Sequence, residues 1–212
     1  MMCCPRDMRP GDIYTHTYHG YTSSIIDAST GTIHPEVVDA KRRGVLFDVG
    51  HGQGAFNWTV TEICAKKEFW PDIIGSDLHT GNQNGPAYDL PMVMSKFFHL
   101  GMSITDIIKA ATATPAEAIN QSHVIGSLTV GQQADITVLK IIDTDIDLED
   151  CQSQTRRVKK LIRPVAVWKG GRPFDITKPA FFPNTDARAR NASAWNKIII
   201  RDSTPPVELK TK

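Results

Sequence analysis

Between Asp12 and Ser76 the chain alternates strand-like and helix-like segments, and this alternation limits its fold more than any other feature. Asp12-Ile13-Tyr14-Thr15-His16-Thr17-Tyr18 is β-branched and aromatic, is bounded by Pro10-Gly11 and Gly20, and predicts a strand. Pro35 to Gly44 has Pro at its start, Lys41-Arg42-Arg43 in its last turn and a closing Gly, which are helix start and stop signals. Val45-Leu46-Phe47-Asp48-Val49 predicts a second strand running into Gly50-His51-Gly52. A second helix is expected from about Asn57 to Glu68, and a third strand over Asp72-Ile73-Ile74-Gly75-Ser76, ending in Asp77-Leu78-His79. Strands spaced by helices in this way predict parallel βα units and an α/β class.

A helical block follows. Leu90 to about Leu100 has Pro91 early and Gly101 as its stop. Ser103-Ile104-Thr105-Asp106 has the form of a capping box, and Thr114-Pro115 predicts a further helix with Thr as its N-cap. Ile125 to Leu139 reads as two strand-like pieces joined by a turn. Val165 to Phe174 reads as a hairpin turning at Gly170-Gly171. The polar stretch Asp143 to Lys160 reads as a long loop with strand edges, its basic run Arg156-Arg157-Val158-Lys159-Lys160 solvated. From Pro179 onward only Ile198-Ile199-Ile200 stands out, so that tail is expected to be extended or poorly ordered. The expected division is 1–122, 123–178 and 179–212.

Charge removes several classes of function. Lys+Arg number 24 and Asp+Glu 23, a balance with no electrostatic case for nucleic acid or an acidic membrane. No run approaches the roughly 18 apolar residues of a membrane span. The opening residues carry charge and proline where a signal peptide needs an apolar stretch. Cys3, Cys4, Cys64 and Cys151 show no C-x-x-C pairing and no dense disulfide pattern, so a cytoplasmic, reduced setting is expected.

Chemistry concentrates at the carboxyl ends of the three predicted strands. His16 (with His19 beyond it), His51, and Asp77 (with His79) fall there, on the edge where βα loops converge. A single histidine at a strand end is ordinarily a satisfied structural residue. Three successive strands ending in imidazole or carboxylate point to a divalent metal, Zn²⁺ or a similar ion being what this donor chemistry suits. Gly50-His51-Gly52-Gln53-Gly54 permits a tight turn and close approach, but Ala55 and Asn57 exclude a dinucleotide fingerprint. The loop Gly81-Asn82-Gln83-Asn84-Gly85-Pro86 either lines a substrate pocket through Asn82 and Asn84 or is a solvated connection.

These residues resemble a known family. Thr15-His16, Phe47-Asp48-Val49-Gly50-His51-Gly52, Ser76-Asp77-Leu78-His79-Thr80 and Ala113-Thr114-Pro115-Ala116-Glu117-Ala118-Ile119 are similar to the amidohydrolase superfamily, in its amidohydrolase/deacetylase branch. So is the stretch from Ile125-Gly126-Ser127-Leu128 through Gly131 to Ala134-Asp135-Ile136-Thr137-Val138. The resemblance implies a TIM-like (β/α) barrel flanked by a small β-sandwich, with one or two Zn²⁺ ions at the barrel's carboxyl end. It implies that His16 and His51 bind metal, that Asp77 binds metal and acts as general base, and that His79 contacts substrate. The implied reaction is hydrolysis of linear amide bonds in N-acyl amino-acid-like substrates by a metal-activated water.

Two family features are missing. Members carry an H-x-H pair on the first barrel strand and a metal-bridging lysine on a middle strand. Here no histidine precedes His16 and no lysine precedes Lys41. The chain therefore reads as the carboxyl-terminal half of an amidohydrolase: a partial barrel followed by part of the sandwich. That predicts an open strand edge and an uncovered apolar face, pairing as a homo-oligomer or with a complementing amino-terminal half, weak metal binding and little activity alone. A non-catalytic scaffold or interaction module is the reading from another class, and a dihydroorotase-like cyclic-amide hydrolase the alternative enzyme. Trp58, Trp70, Trp168 and Trp195 are expected to be packing residues, and Cys64 buried and inert.

Overall fold

A computed structural model describes residues 5–176. The elements in chain order are β1 (Ile13–Tyr14), β2 (Ile26–Asp27), β3 (Thr32–Ile33), α1 (Pro35–Arg43), β4 (Leu46–Phe47), α2 (Trp58–Lys66), α3 (Leu90–His99), α4 (Ile104–Ala111), α5 (Ala113–Ala118), β5 (Ile136–Glu149), β6 (Thr155–Lys169) and β7 (Arg172–Phe174). Residues 177–212, with the expected tail, Trp195 and Ile198–Ile200, lie outside the described residues, as do Cys3 and Cys4.

The first two expected parallel strands are present with a helix between them, whereas the third, Asp72–Ser76, forms only an isolated bridge at Ile73. β1 and β4 pair in parallel, with Ile13 opposite Leu46 and Tyr14 opposite Phe47. The ladder continues through a parallel bridge from Asp48 to Ile73, and through His51 N donating to Gly75 O at 3.1 Å. The regular pairing is much shorter than the predicted Asp12–Tyr18 strand. The chain leaves it at His16, whose φ of +59° is left-handed backbone, and Tyr18 then bridges Phe56 separately.

The helices follow their local signals. Gly44 closes α1 at φ +97°, a conformation that favours glycine. Asn57, Asp89 and Ser103 each cap a helix through the side chain, accepting from Val60 N, Met92 N and Asp106 N. One start differs from expectation. α5 begins at Ala113 with Thr112 in the cap position and no side-chain cap bond. Pro115 is thus its third residue, where a missing N–H still costs nothing because the first turn's donors have no helical partners.

The carboxyl-terminal third departs most from expectation. Asp143 to Lys160 is the body of a long antiparallel hairpin, not a loop, with irregular register between Val138 and Leu139 and between Asp143 and Ile146. Leu148, Val158, Leu161 and Ile162 are buried against the rest of the molecule. Cross-strand ion pairs line the exposed parts of the hairpin, Arg157 with Asp145 and Asp147, Lys159 with Asp145, and Lys160 with Asp143. A half-buried sheet is polar on alternate residues, and that pattern imitates a loop in composition. Within Ile125–Leu139 only the segment from Ile136 is strand, and Leu128 and Val130 are exposed. The turn at Gly170 (φ +57°) and Gly171 (φ +76°) forms as expected, pairing Lys169 with Arg172.

One core joins the two parts. Tyr18, Phe47, Phe56, Trp58 and Phe97 share a buried cluster with the four apolar hairpin residues named above. Phe56 stands edge-on to both Trp58 (5.0 Å) and Phe97 (5.9 Å). Polar groups align the hairpin on this core: Trp58 Nε1 donates to Leu148 O at 3.0 Å, Ile162 N donates to Ser95 Oγ at 2.8 Å, and Arg156 forms a two-pronged pair with Glu62. At the far end of the hairpin Ile136, Val138, Val165 and Phe174 are exposed, so an uncovered apolar surface is present. Among the described residues no helix is long and apolar enough to cross a membrane.

Candidate active site

The turn Gly50–Gly52 organises the carboxyl ends of the parallel segments. Both glycines have left-handed backbone, φ +44° and +49°. A Cβ on Gly50 would stand 2.5 Å from Thr15 Oγ1 and 2.9 Å from His16 Nδ1, and one on Gly52 would stand 2.5 Å from Asp77 Oδ2. Glycine is therefore required twice over, and the contacts place His16 and the Asp77 carboxylate on either side of one turn.

His16 and Asp77 are themselves left-handed, at φ +59° and +44°. Such backbone is costly for a residue with a side chain and gathers at functional sites. His16 Nδ1 lies 2.6 Å from Gly50 O. A carbonyl can only accept, so the proton is on Nδ1 and the Nε2 lone pair remains available. Asp77 is held through its backbone: Asn82 Nδ2 donates to Asp77 O at 2.8 Å while Asn82 Oδ1 accepts from His79 N at 2.9 Å. Asp48 supports the same corner, accepting from Thr15 Oγ1 (2.6 Å) and Gly75 N (3.0 Å).

His51 is bonded at both ring nitrogens. Its ring is fully buried and stacks on Phe56 at 4.9 Å. Nδ1 donates to Gly52 O at 3.0 Å, and Nε2 accepts from the Lys96 ammonium at 2.8 Å. Lys96, also fully buried, donates in addition to Pro86 O (2.9 Å) and Glu149 O (2.7 Å). Its ammonium lies 4.8 Å from the centre of the Phe56 ring. Burial lowers Lys96 to about 8, and burial together with the neighbouring ammonium holds His51 well below the ordinary imidazole range.

The expected site residues differ in exposure. His16 and Asp77 are exposed at the rim, whereas His51 is fully buried. His79 is exposed, with Nδ1 accepting from Gly81 N at 3.1 Å. Asn82 is buried, its amide used to hold the 77–79 segment, and Asn84 is half-buried in the same loop. His19 is half-buried, with Nδ1 accepting from Tyr21 N. Among the described residues no group of three or more His, Cys, Asp or Glu side chains is placed to hold a metal ion. The donors present do not fit a metal centre by themselves: His16 Nε2 and the Asp77 carboxylate are at the rim, the Asp48 carboxylate accepts from Thr15 and Gly75, and the His51 ring is already bonded at both nitrogens.

Sequence reasoning missed Lys96 and Asp48. The available signal for Lys96 is a lone cation inside the apolar run Met92-Val93-Met94-Ser95-Lys96-Phe97-Phe98. A cleft of about 540 Å³ at Pro10–Asp12, Leu46 and α5 lies at the opposite, amino-terminal ends of β1 and β4.

A family model described as "Amidohydrolase family" matches residues 86–174. The chain belongs to the amidohydrolase superfamily, whose members typically bind divalent metals and hydrolyse C–N bonds. Among curated proteins it is 34% identical over 169 residues to a deacetylase of Enterococcus faecalis, covering 79% of this chain and 46% of that protein. A crystal structure of an adenine deaminase superposes with a TM-score of 0.78 at 34% identity, over 81% of this chain and 46% of that one. A dihydroorotase structure gives 0.69 at 29% identity, over 80% and 44%. The chain thus spans about half the length of the curated deacetylase it matches.

Proposed function

We propose that this chain supplies one side of the active-site rim of an amidohydrolase acting on linear amides, deacetylase-like, with N-acyl amino-acid-like small molecules as substrates. The observation that carries this is the pair His16 and Asp77, both in strained backbone, on either side of the Gly50–Gly52 turn at the carboxyl ends of parallel strands. The Enterococcus deacetylase supports the linear substrate. In this reading residues 1–122 are part of a (β/α) barrel, 123–178 part of a small β-sandwich and 179–212 a tail, in a cytoplasmic protein.

The carboxylate of Asp77 takes the proton of the attacking water and returns it to the leaving nitrogen. His16, with Nδ1 bonded to Gly50 O, presents Nε2 as an acceptor toward the same space. His79 and Asn84 flank the substrate, and Asn82 acts through them by fixing the loop. A Zn²⁺ centre of the kind the family uses needs donors beyond those described here, from a complementing amino-terminal half or a second copy.

Acetate release from a panel of N-acetyl amino acids, set against cyclic amides, tests the reading. Slow hydrolysis of the linear substrates, abolished by Asp77→Asn, is expected. Faster turnover of cyclic amides, or activity indifferent to Asp77→Asn, would refute it. The second reading, a non-catalytic scaffold, is favoured by one observation, the engagement of both His51 nitrogens, and gains if no substrate is turned over.

A further inference from the structure

We propose that Lys96 is the resident cation of His51, so that in this chain His51 positions the rim turn and does not ligate a metal. An imidazole nitrogen has one in-plane lone pair. That of Nε2 is directed at the Lys96 ammonium 2.8 Å away, while Nδ1 is spent as a donor to Gly52 O. Neither nitrogen is left for a metal.

The ammonium is held as firmly as the ring. Its three protons have three acceptors, His51 Nε2, Pro86 O and Glu149 O, all within 2.9 Å. Its stem leaves α3 between two anchored residues: Ser95, whose hydroxyl accepts from Ile162 N, and Phe97, which is fully buried in the aromatic cluster. A metal arriving at Nε2 would have to expel the ammonium and take its donor away from the carbonyl of Pro86, a buried contact. Phe56, stacked on the imidazole and lying under the ammonium, closes another side.

From α3, Lys96 reaches three other pieces of chain: the rim turn, the loop at Pro86 and the end of β5. Since His16 and Asp77 pack against the two glycines beside His51, the placement of both rim groups depends on this buried contact. Lys96 is accordingly a positioning residue, 45 positions from the ring it holds. The inference does not depend on which bond the protein cleaves.

Ring nitrogen shifts in the ¹⁵N-labelled full chain test it, during titration with Zn²⁺ to equimolar concentration. The expected wild-type result is a His51 ring protonated at Nδ1 with an Nε2 signal that zinc leaves unchanged. In Lys96→Met the same Nε2 signal moves on zinc addition, and zinc affinity rises at least tenfold. A wild-type His51 that binds zinc through Nε2 or carries its proton there overturns the proposal, as does a folded Lys96→Met chain whose His51 ignores zinc. Should that variant not fold, the wild-type titration alone decides.

Discussion

Replacing Gly52 by alanine separates the strain of the rim turn from its function. At φ +49° any L side chain is strained, by about 1–2 kcal/mol. The new methyl would also stand 2.5 Å from Asp77 Oδ2, where ordinary contact begins at 3.4 Å. That oxygen ends a short side chain at the rim, so the carboxylate gives way by about 0.9 Å while the turn stays folded. A displacement near 1 Å at a reacting group can cost about 10²-fold in rate. Gly31→Ala is the matching control, with φ +67° and nothing within 4 Å of the added carbon. The two variants should lose similar stability in urea titrations, about 1–2 kcal/mol each. Only Gly52→Ala should move the ¹³C signal of the Asp77 carboxyl and lower amide hydrolysis about 10²-fold. An unmoved Asp77 signal, or a stability loss several kcal/mol beyond the control, would show that the turn and the carboxylate are not packed as described.

Two further substitutions probe the surroundings. Asn82→Ala removes both the acceptor for His79 N and the donor to Asp77 O, and should destabilise the 77–82 segment by about 1–3 kcal/mol, read as faster amide exchange confined to that loop. Asp150, buried against Trp58, is raised to about 6 by desolvation although Trp58 N, Gln152 N and Gln154 N all donate to it. The folded state therefore binds the proton more tightly than the unfolded one. Its contribution is full below pH 3.8 and falls as pH rises to about 6, by about 3 kcal/mol. Asp150→Asn should flatten that decline between pH 4 and 7 in urea unfolding, and an unchanged slope would assign the decline to other groups.

Much of the α/β part was legible because its signals are local. Gly44, Asn57, Asp89 and Ser103 end or begin helices through bonds within a few residues of themselves, so a short window of sequence contains the whole cause. Glycine at 50 and 52 likewise announced a turn that only glycine can make. The hairpin was not legible in the same way. Asp143, Asp145 and Asp147 look solvated in isolation, and become strand residues only when Lys160, Lys159 and Arg157 stand across from them.

The site divides along the same line. The amino-acid sequence by itself indicated that histidine and aspartate follow successive parallel-pairing segments, since strand-helix alternation and turn chemistry suffice to bring them to one edge. Only the tertiary structure decided which way each ring points. A lysine on α3 reaches His51 from across the core, and the desolvation that makes this contact strong exists only once Phe56, Phe97 and the hairpin have closed over it.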